Sequence, residues 1–211
     1  PPARYRLVNQ GADIDRIAEA AELIRQAKNP ILLVGHGVHT SRTGGAVREL
    51  AELMNCPVIQ TSGGTSYIPG LEDRTFQYVF SRASIVAVEE SDLCLALGTE
   101  LGEPVHYGRW RYWMQNEAIR KWIYVEQDPA AIGVNRPIDV PLVGDLRGVV
   151  PQLVAALEGT PRAPAPGLAK FMKDGAAELA SLAEESLTRS DGTGSVPIHT
   201  SRFVVEATRA F

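Results

Sequence analysis

The sequence predicts an α/β fold with a doubly wound parallel sheet of about six strands. Short segments made only of apolar residues recur along the chain, as in strands buried on both faces of a parallel sheet. Segments with an apolar residue at every third or fourth position separate them, which is typical of helices packed on a sheet. Most of the apolar segments end in a glycine-containing loop. Together these features favour repeated strand–helix units.

The first predicted units occupy the chain up to the middle. Residues 13–28 have an apolar face of helical period, and Asp13 and Asp15 suit the positive N-terminal end of a helix. Pro30 ends that helix, and a second apolar face runs from Val47 to Met54. In this half the predicted strands span residues 31–34, 57–59 and 76–80.

The second half of the sheet follows the same pattern. Residues 83–90 are predicted as a helix, and residues 93–97 form the clearest buried strand, ending at Gly98. Two further apolar strands are expected at residues 122–125 and 140–143. Asp145 is placed to cap a closing helix that extends to about Leu157.

Composition narrows the class of protein. The chain has 211 residues, a net charge of −4 and an isoelectric point near 5.6, which disfavours an electrostatic nucleic-acid binder. No apolar run reaches the roughly 20 residues that a membrane span needs. Cys56 and Cys94 are predicted to be reduced core residues, and a cytoplasmic location is the expectation.

The amino-acid composition of the chain changes after residue 158. Residues 159–167 are rich in proline, glycine and alanine, as in a linker, and a helix is expected from residue 168 to about 187. We therefore expect one domain over residues 1–158, a linker with a helix over residues 159–195, and the start of a truncated domain at residues 196–211. The chain is interpreted as a piece of a longer protein.

Five loops are expected to meet at the carboxyl ends of the strands, where open α/β sheets bind ligands. Glycine-rich loops and helix N-termini suit phosphate groups, so a nucleotide-type cleft is expected there. The candidate cofactor-binding residues are Gly35, His36, Gly37, Thr61, Ser62, Gly98, Thr99, Glu126, Asp128 and Asp145. A second interpretation is that the glycines only allow sharp turns.

The sequence offers no catalytic residue and no metal site. The segment that begins at Gly35 lacks the third glycine of a dinucleotide fingerprint, and no acid lies near residues 55–60 for a ribose. His36 and His39 have no third ligand nearby. The aromatic and arginine-rich residues 107–113 are expected in a subunit interface or the core, with base stacking as the alternative.

Several segments, taken in order, resemble the central domain of thiamine-diphosphate-dependent enzymes of the acetohydroxyacid synthase and 2-oxoacid decarboxylase type. The resemblance covers about residues 13–158. It is carried by residues 27–38, 49–52, 56–58, 88–98, 128–133 and 140–145. It implies a deoxyhypusine-synthase-like NAD/FAD-binding fold. Residues 197–202 resemble the entry to that family's C-terminal domain.

The resemblance implies a three-domain parent enzyme, either a lyase or a transferase, that uses thiamine diphosphate and Mg²⁺. Its N-terminal domain would carry the catalytic glutamate, and its C-terminal domain the Gly-Asp-Gly motif that binds metal and diphosphate. Neither motif occurs in this sequence, so no cofactor is expected in the chain itself. The missing domains and further copies of the chain, in a homo-oligomer, are the implied partners.

A bound FAD is disfavoured. Synthases that bind it have a glycine-rich segment where this chain has residues 77–82, and an arginine-containing loop where it has Glu100 and Glu103. Bulky side chains and like charge oppose a flavin diphosphate. The alternatives to a structural central domain are a stand-alone module that binds FAD, NAD or ADP, and a pure oligomerisation module.

Overall fold

The computed structural model describes residues 9–64 and 68–189, together with positions 203, 206, 207 and 210. The predicted start of a further domain at residues 196–211 lies outside the described residues apart from those four positions. No helix among the described residues is long and apolar enough to cross a membrane.

Six parallel strands form a single sheet, which confirms the predicted fold class. Their spatial order is β3-β2-β1-β4-β5-β6, so the chain builds outward from the centre first in one direction and then in the other. The strands are β1 (Pro30–Val34), β2 (Val58–Gln60), β3 (Thr75–Gln77), β4 (Leu93–Leu97), β5 (Lys121–Glu126) and β6 (Val140–Val143).

Helices cover both faces of the sheet. They are α1 (Ile14–Gln26), α2 (His36–Thr40), α3 (Gly44–Met54), α4 (Arg82–Glu90), α5 (Leu146–Leu157) and α6 (Leu168–Arg189). Helices α1, α3 and α5 pack together on one face, and α4 and α6 pack on the other.

The central strands are buried on both sides because their side chains alternate between two cores. In β1, Leu32 and Val34 belong to the core beneath α1, α3 and α5, whereas Ile31 and Leu33 belong to the other core. This explains why the strand is apolar at every position rather than at every second one.

Side-chain caps fix the start of the main helices. Asp13 accepts hydrogen bonds from the backbone N–H groups of Asp15 and Arg16 at the start of α1. Asp145 does the same for the N–H of Arg147 in α5, as predicted. The N–H groups of Arg82 and Ala83 at the start of α4 donate to the carboxylate of Glu178, at 2.7 and 3.0 Å. A residue of α6 therefore completes the first turn of α4.

The proline-rich segment after α5 is anchored through Arg162, which is only 4% exposed. Its guanidinium donates to the carbonyls of Ala27, Lys28, Met54 and Asn55, just at the ends of α1 and α3. Composition alone suggested a flexible linker here. The buried arginine instead holds the segment beside the amino ends of β1 and β2, and α6 follows on the opposite face from α5.

Strand β3 is shorter than expected from residues 76–80. It ends at Gln77, and Val79 has a left-handed backbone with φ of 50°. Tyr78 turns inward and its ring stacks on Trp113, with centroids 5.8 Å apart. The apolar character of Tyr78 and Val79 therefore reflects packing of a turn rather than continuation of the strand, whereas Phe80 is exposed.

Candidate functional site

The carboxyl ends of β1 and β4 lie side by side at the centre of the sheet. From β1 the chain continues towards β2, and from β4 it continues towards β5 on the other side. The loops after the two strands diverge and leave a crevice, which is where doubly wound sheets bind ligands. The structure has a cleft of about 610 Å³ at this place, within the range of small-molecule sites.

Two glycine positions allow the loops to approach closely enough to form the floor of the cleft. The N–H of Gly37 donates to the carbonyl of Gly98 at 2.9 Å, and Gly98 has φ of +60°. A Cβ atom on Gly37 would lie 2.6 Å from the Cα of Gly98. These glycines are required by the backbone contact, whether or not a ligand is bound.

Seven of the ten candidate cofactor-binding residues line the cleft. They are His36, Gly37, Thr61, Gly98, Thr99, Glu126 and Asp145. Gly35 lies beneath them, where its N–H donates to the carbonyl of Leu97. Ser62 is exposed at the start of a short turn outside the lining, and Asp128 caps the turn Pro129–Ala131 through the N–H of Ala130.

Asp145 and Arg147 form the strongest polar contact of the cleft. The guanidinium of Arg147 donates to both carboxylate oxygens of Asp145, at 3.0 and 2.7 Å. Gln127 donates a third side-chain hydrogen bond at 2.8 Å. These contacts, led by the Arg147 side chain, hold the pKa of Asp145 below its usual range. The cation of Arg147 is consequently already neutralised.

The carboxylate of Glu126, at the end of β5, is also hydrogen-bonded to neighbouring groups. Its carboxylate accepts hydrogen bonds from the Tyr124 hydroxyl at 2.9 Å and from the N–H groups of Gln127 and Asp128. Burial, and then the nearby carboxylate, raise the pKa of the Tyr124 phenol. Tyr124 is therefore a neutral donor that positions Glu126, and not a general base.

Acidic side chains outnumber basic ones in the lining of the cleft. Among the described residues, Glu100, Glu126 and Asp145 line it together with one cation, Arg147, which is paired with Asp145. Glu103 is outside the lining, as are residues 77–82. Of the features that disfavour FAD in the sequence, only Glu100 therefore reaches the cleft.

The histidine in the cleft lining is directed at the backbone. His36 directs Nδ1 at the carbonyl of Gly63, 3.2 Å away, and the rings of His36 and His39 are 6.0 Å apart. Within the described part of the chain, no three His, Cys, Asp or Glu side chains group together as metal ligands. Cys56 and Cys94 are buried, and burial raises the pKa of both thiols to about 12.

Sequence reasoning missed Arg147 and Gln127, which complete the contacts of Asp145. Gln127 follows the end of β5 by one position and Arg147 follows the end of β6 by four, so a place for both beside the cleft could have been predicted. Their role could not, because it depends on two loops from different strands meeting in space.

Comparison with known proteins agrees with this fold. Residues 17–153 match the family model described as thiamine pyrophosphate enzyme, central domain. The chain therefore belongs to the central-domain family of thiamine-diphosphate-dependent enzymes.

Curated relatives include acetolactate synthases. That of Mycobacterium bovis is 35% identical over 145 residues, which are 67% of this chain and 23% of the relative. A probable acetolactate synthase large subunit of Methanocaldococcus jannaschii is 34% identical over 147 residues, which are 67% of this chain and 24% of the relative. A sulfoacetaldehyde acetyltransferase of Roseovarius nubinhibens is 33% identical over 153 residues, with coverages of 69% and 24%. The chain thus spans about a quarter of the length of these relatives.

A solved structure shares the fold. It is the X-ray structure of a protein described as a thiamin diphosphate-dependent enzyme from Mycobacterium smegmatis, with a TM-score of 0.58 and 24% identity. The match covers 76% of this chain and 32% of that one.

Proposed function

We propose that this chain serves as the central, non-catalytic domain of an enzyme that depends on thiamine diphosphate and Mg²⁺ and decarboxylates or carboligates 2-oxo acids. The observation that carries the proposal is the family match over residues 17–153. It is supported by a cleft in which Glu126 and Asp145 are bound to neighbouring groups and His36 directs Nδ1 at a backbone carbonyl.

The described residues do not fit thiamine diphosphate with its metal. A magnesium diphosphate site needs oxygen ligands that are free to turn to the ion. Here Asp145 is held by Arg147, and Glu126 by Tyr124 and two backbone N–H groups. In such enzymes the cofactor supplies a carbanion-stabilising ylid. We assign its binding to other domains of the parent protein.

In this proposal residues 1–158 are the central domain, residues 159–195 connect it onward, and residues 196–211 begin a cofactor-binding domain. The N- and C-terminal domains of the parent and further copies in a homo-oligomer are the partners, in the cytoplasm and without nucleic acid. Support for a fixed connection comes from Arg162 and from Glu178, which tie this segment to the domain.

A test of the non-catalytic role uses the whole open reading frame that contains this chain. Its turnover of a 2-oxo acid is measured as CO₂ release with thiamine diphosphate and Mg²⁺. We expect Glu126→Gln and Thr99→Ala to change kcat by less than about twofold, since neither side chain is proposed to touch a reacting atom. A loss of about 100-fold in kcat with an unchanged KM would contradict the non-catalytic role.

The alternative function, a module that binds FAD, NAD or ADP, is favoured by the 610 Å³ cleft at the centre of the sheet. We propose that FAD binds weakly or not at all, because Glu100, Glu126 and Asp145 oppose its diphosphate and Arg147 is already paired.

Flavin fluorescence titration distinguishes the two functions. We expect a dissociation constant well above about 1 μM for the unchanged chain. Glu100→Gln, which removes a charge from the cleft lining, should lower that constant, whereas the matched Glu103→Gln outside the lining should leave it unchanged. Binding of the unchanged chain at or below about 1 μM would favour the nucleotide module.

A further inference from the structure

Two histidines of α2 lie close together at the rim of the central cleft. His36 and His39 are three positions apart in this helix, so their side chains are neighbours on its surface. Their ring centroids are 6.0 Å apart, and the ring planes are inclined by 46°. Both side chains are exposed, and His36 lines the cleft. An ion in solution can therefore reach both rings.

The separation of the two rings suits a shared metal ion. A metal–nitrogen bond of about 2.0–2.1 Å places the centroid of an imidazole about 3.2 Å from the ion. Two imidazoles on one ion consequently have centroids roughly 4.5–6.3 Å apart, depending on the angle between the two bonds. The observed 6.0 Å lies within this range. Exposed side chains make the small rotations that direct both nitrogens at one ion.

The ring of His36 is held in the tautomer that binds metal through Nε2. Its Nδ1 lies 3.2 Å from the carbonyl oxygen of Gly63. A carbonyl only accepts, so Nδ1 carries the proton and donates it, and Nε2 keeps a free lone pair. Metal-binding histidines commonly donate the other ring N–H to a backbone carbonyl in this way. The side chain of His39 makes no hydrogen bond within the described part of the chain, so its ring is also available.

The backbone that carries the two rings is fixed to the core. Val38, which lies between the two histidines, is only 4% exposed. The N–H of Gly37 donates to the carbonyl of Gly98 at 2.9 Å, and the N–H of Ser41 donates to the carbonyl of Gly37 at the same distance. Because folding alone brings the pair together, binding an ion orders little beyond the two rings.

The charge of the cleft lining favours a cation beside His36. Glu100, Glu126 and Asp145 line the same cleft, and Arg147 is the one cation among the described lining residues. Such an excess of negative charge raises the local concentration of divalent cations at the rim.

We propose that His36 and His39 together bind one Cu²⁺ ion, and more weakly Ni²⁺ or Zn²⁺, through their imidazole nitrogens. Imidazole suits these three ions, and the affinity of a nitrogen site for divalent first-row metals is highest for Cu²⁺. Cu²⁺ takes tetragonal nitrogen and oxygen ligands, so the two imidazoles supply part of its shell and water supplies the rest. A catalytic zinc site needs a third protein ligand, which no described His, Cys, Asp or Glu provides here.

This inference goes beyond the proposed function and is independent of it. The Mg²⁺ of the proposed function takes oxygen ligands and is assigned to other domains of the parent protein. An ion on the two imidazoles lies instead at the rim of the cleft that His36 lines.

Copper titration of the 211-residue chain tests the site. The probe is CuCl₂ alone, in a buffer that does not bind copper, followed by visible absorption and electron paramagnetic resonance. We expect one equivalent to bind with a dissociation constant at or below about 100 μM. The resonance spectrum should show coupling to two imidazole nitrogens, and about a 100-fold excess of Mg²⁺ should leave it unchanged.

Variants of the four histidines identify the ligands. His36→Asn and His39→Asn each remove one imidazole from an exposed position, and we expect each to weaken copper binding by about 10-fold or more. His106→Asn and His199→Asn are the matched controls and should change the dissociation constant by less than about twofold. Arg42→Gln removes a cation from the cavity that His39 lines, so it should tighten binding. Urea denaturation without metal checks that the variants remain folded.

Three results would overturn the inference. An unchanged dissociation constant in both His36→Asn and His39→Asn would place the ion elsewhere on the chain. A dissociation constant above about 100 μM for the unchanged chain would exclude the site. Coupling to a single nitrogen in the unchanged chain would show that the two rings do not share the ion. None of these results bears on the central-domain role.

Discussion

Buried arginines hold the carbonyl ends of helices in this fold. Arg120 donates to the carbonyls of Val88 and Glu89 at the end of α4, and Arg162 binds those that follow α1 and α3. Burial lowers the pKa of both guanidinium groups. The carbonyl dipoles at the helix ends compensate for that desolvation.

Replacing Arg162 tests how much its hydrogen bonds to these carbonyls contribute to the free energy of unfolding. Arg162→Met has a similar volume but leaves the carbonyls of Ala27, Lys28, Met54 and Asn55 without this donor. We expect a loss of about 2–4 kcal/mol in the free energy of unfolding, measured by urea denaturation.

The matched control is Arg16→Met on α1, whose side chain is 53% exposed and forms a surface ion pair with Glu19. It should change stability by less than about 0.5 kcal/mol. Equal losses in the two variants would mean that Arg162 does not anchor its segment.

Asp145 links stability to pH. Its pKa is lowered in the folded state, chiefly by the Arg147 side chain, so its charged form stabilises the fold above its unfolded pKa of about 3.9. That contribution is lost as the pH falls through the lower folded value.

We therefore expect Asp145→Asn to destabilise the chain at neutral pH and to lose less stability than the unchanged chain between about pH 5 and 2.5. Asparagine is also a good N-cap, so the start of α5 is retained. Urea midpoints measured across this range give the difference, and a difference independent of pH would contradict the role assigned to the Arg147 pair.

At the scale of elements, α2 and the end of β4 are in backbone contact through Gly37 and Gly98. Gly37→Ala would place a Cβ 2.6 Å from the Cα of Gly98 and force the two elements apart. We expect a loss of about 1–3 kcal/mol, measured by urea denaturation.

Gly45 in α3 provides the opposite case for the same substitution. A Cβ there meets nothing within 4 Å. Gly45→Ala should therefore stabilise the chain by about 0.5–1 kcal/mol, because alanine loses less backbone entropy in a helix. If the two variants behaved alike, close packing at Gly37 would not be the cause.

At the scale of the whole molecule, the proposed function predicts that the chain does not respond to thiamine diphosphate. Its two cores are formed within the described residues, and Glu126 and Asp145 in the cleft are already bound to neighbouring groups. We expect Tm to change by less than about 1 °C at saturating thiamine diphosphate and Mg²⁺. A rise of several degrees would indicate a specific site in this chain.

Much of the architecture was predictable because burial on both faces leaves a local signature. Residues 93–97 and 31–34 are apolar at every position, and the structure places them in the two central strands, β4 and β1. Asp145 could be predicted as a cap because a cap acts within three residues of its position, and Asp13, predicted only to suit the positive end of α1, proves to be the cap of that helix.

The sequence by itself determined the six parallel strands, the family, and the loops that could meet at a cleft. Only the tertiary structure decided that Arg147 neutralises Asp145, that Asp128 and Ser62 lie outside the lining, and that Arg162 anchors a segment with the composition of a linker. The physical reason is the separation along the chain between the residues that interact. Apolar period and capping depend on neighbours along the chain, whereas ion pairing, lining a cleft and binding distant carbonyls depend on residues that only folding brings together, as with Arg162 and Ala27.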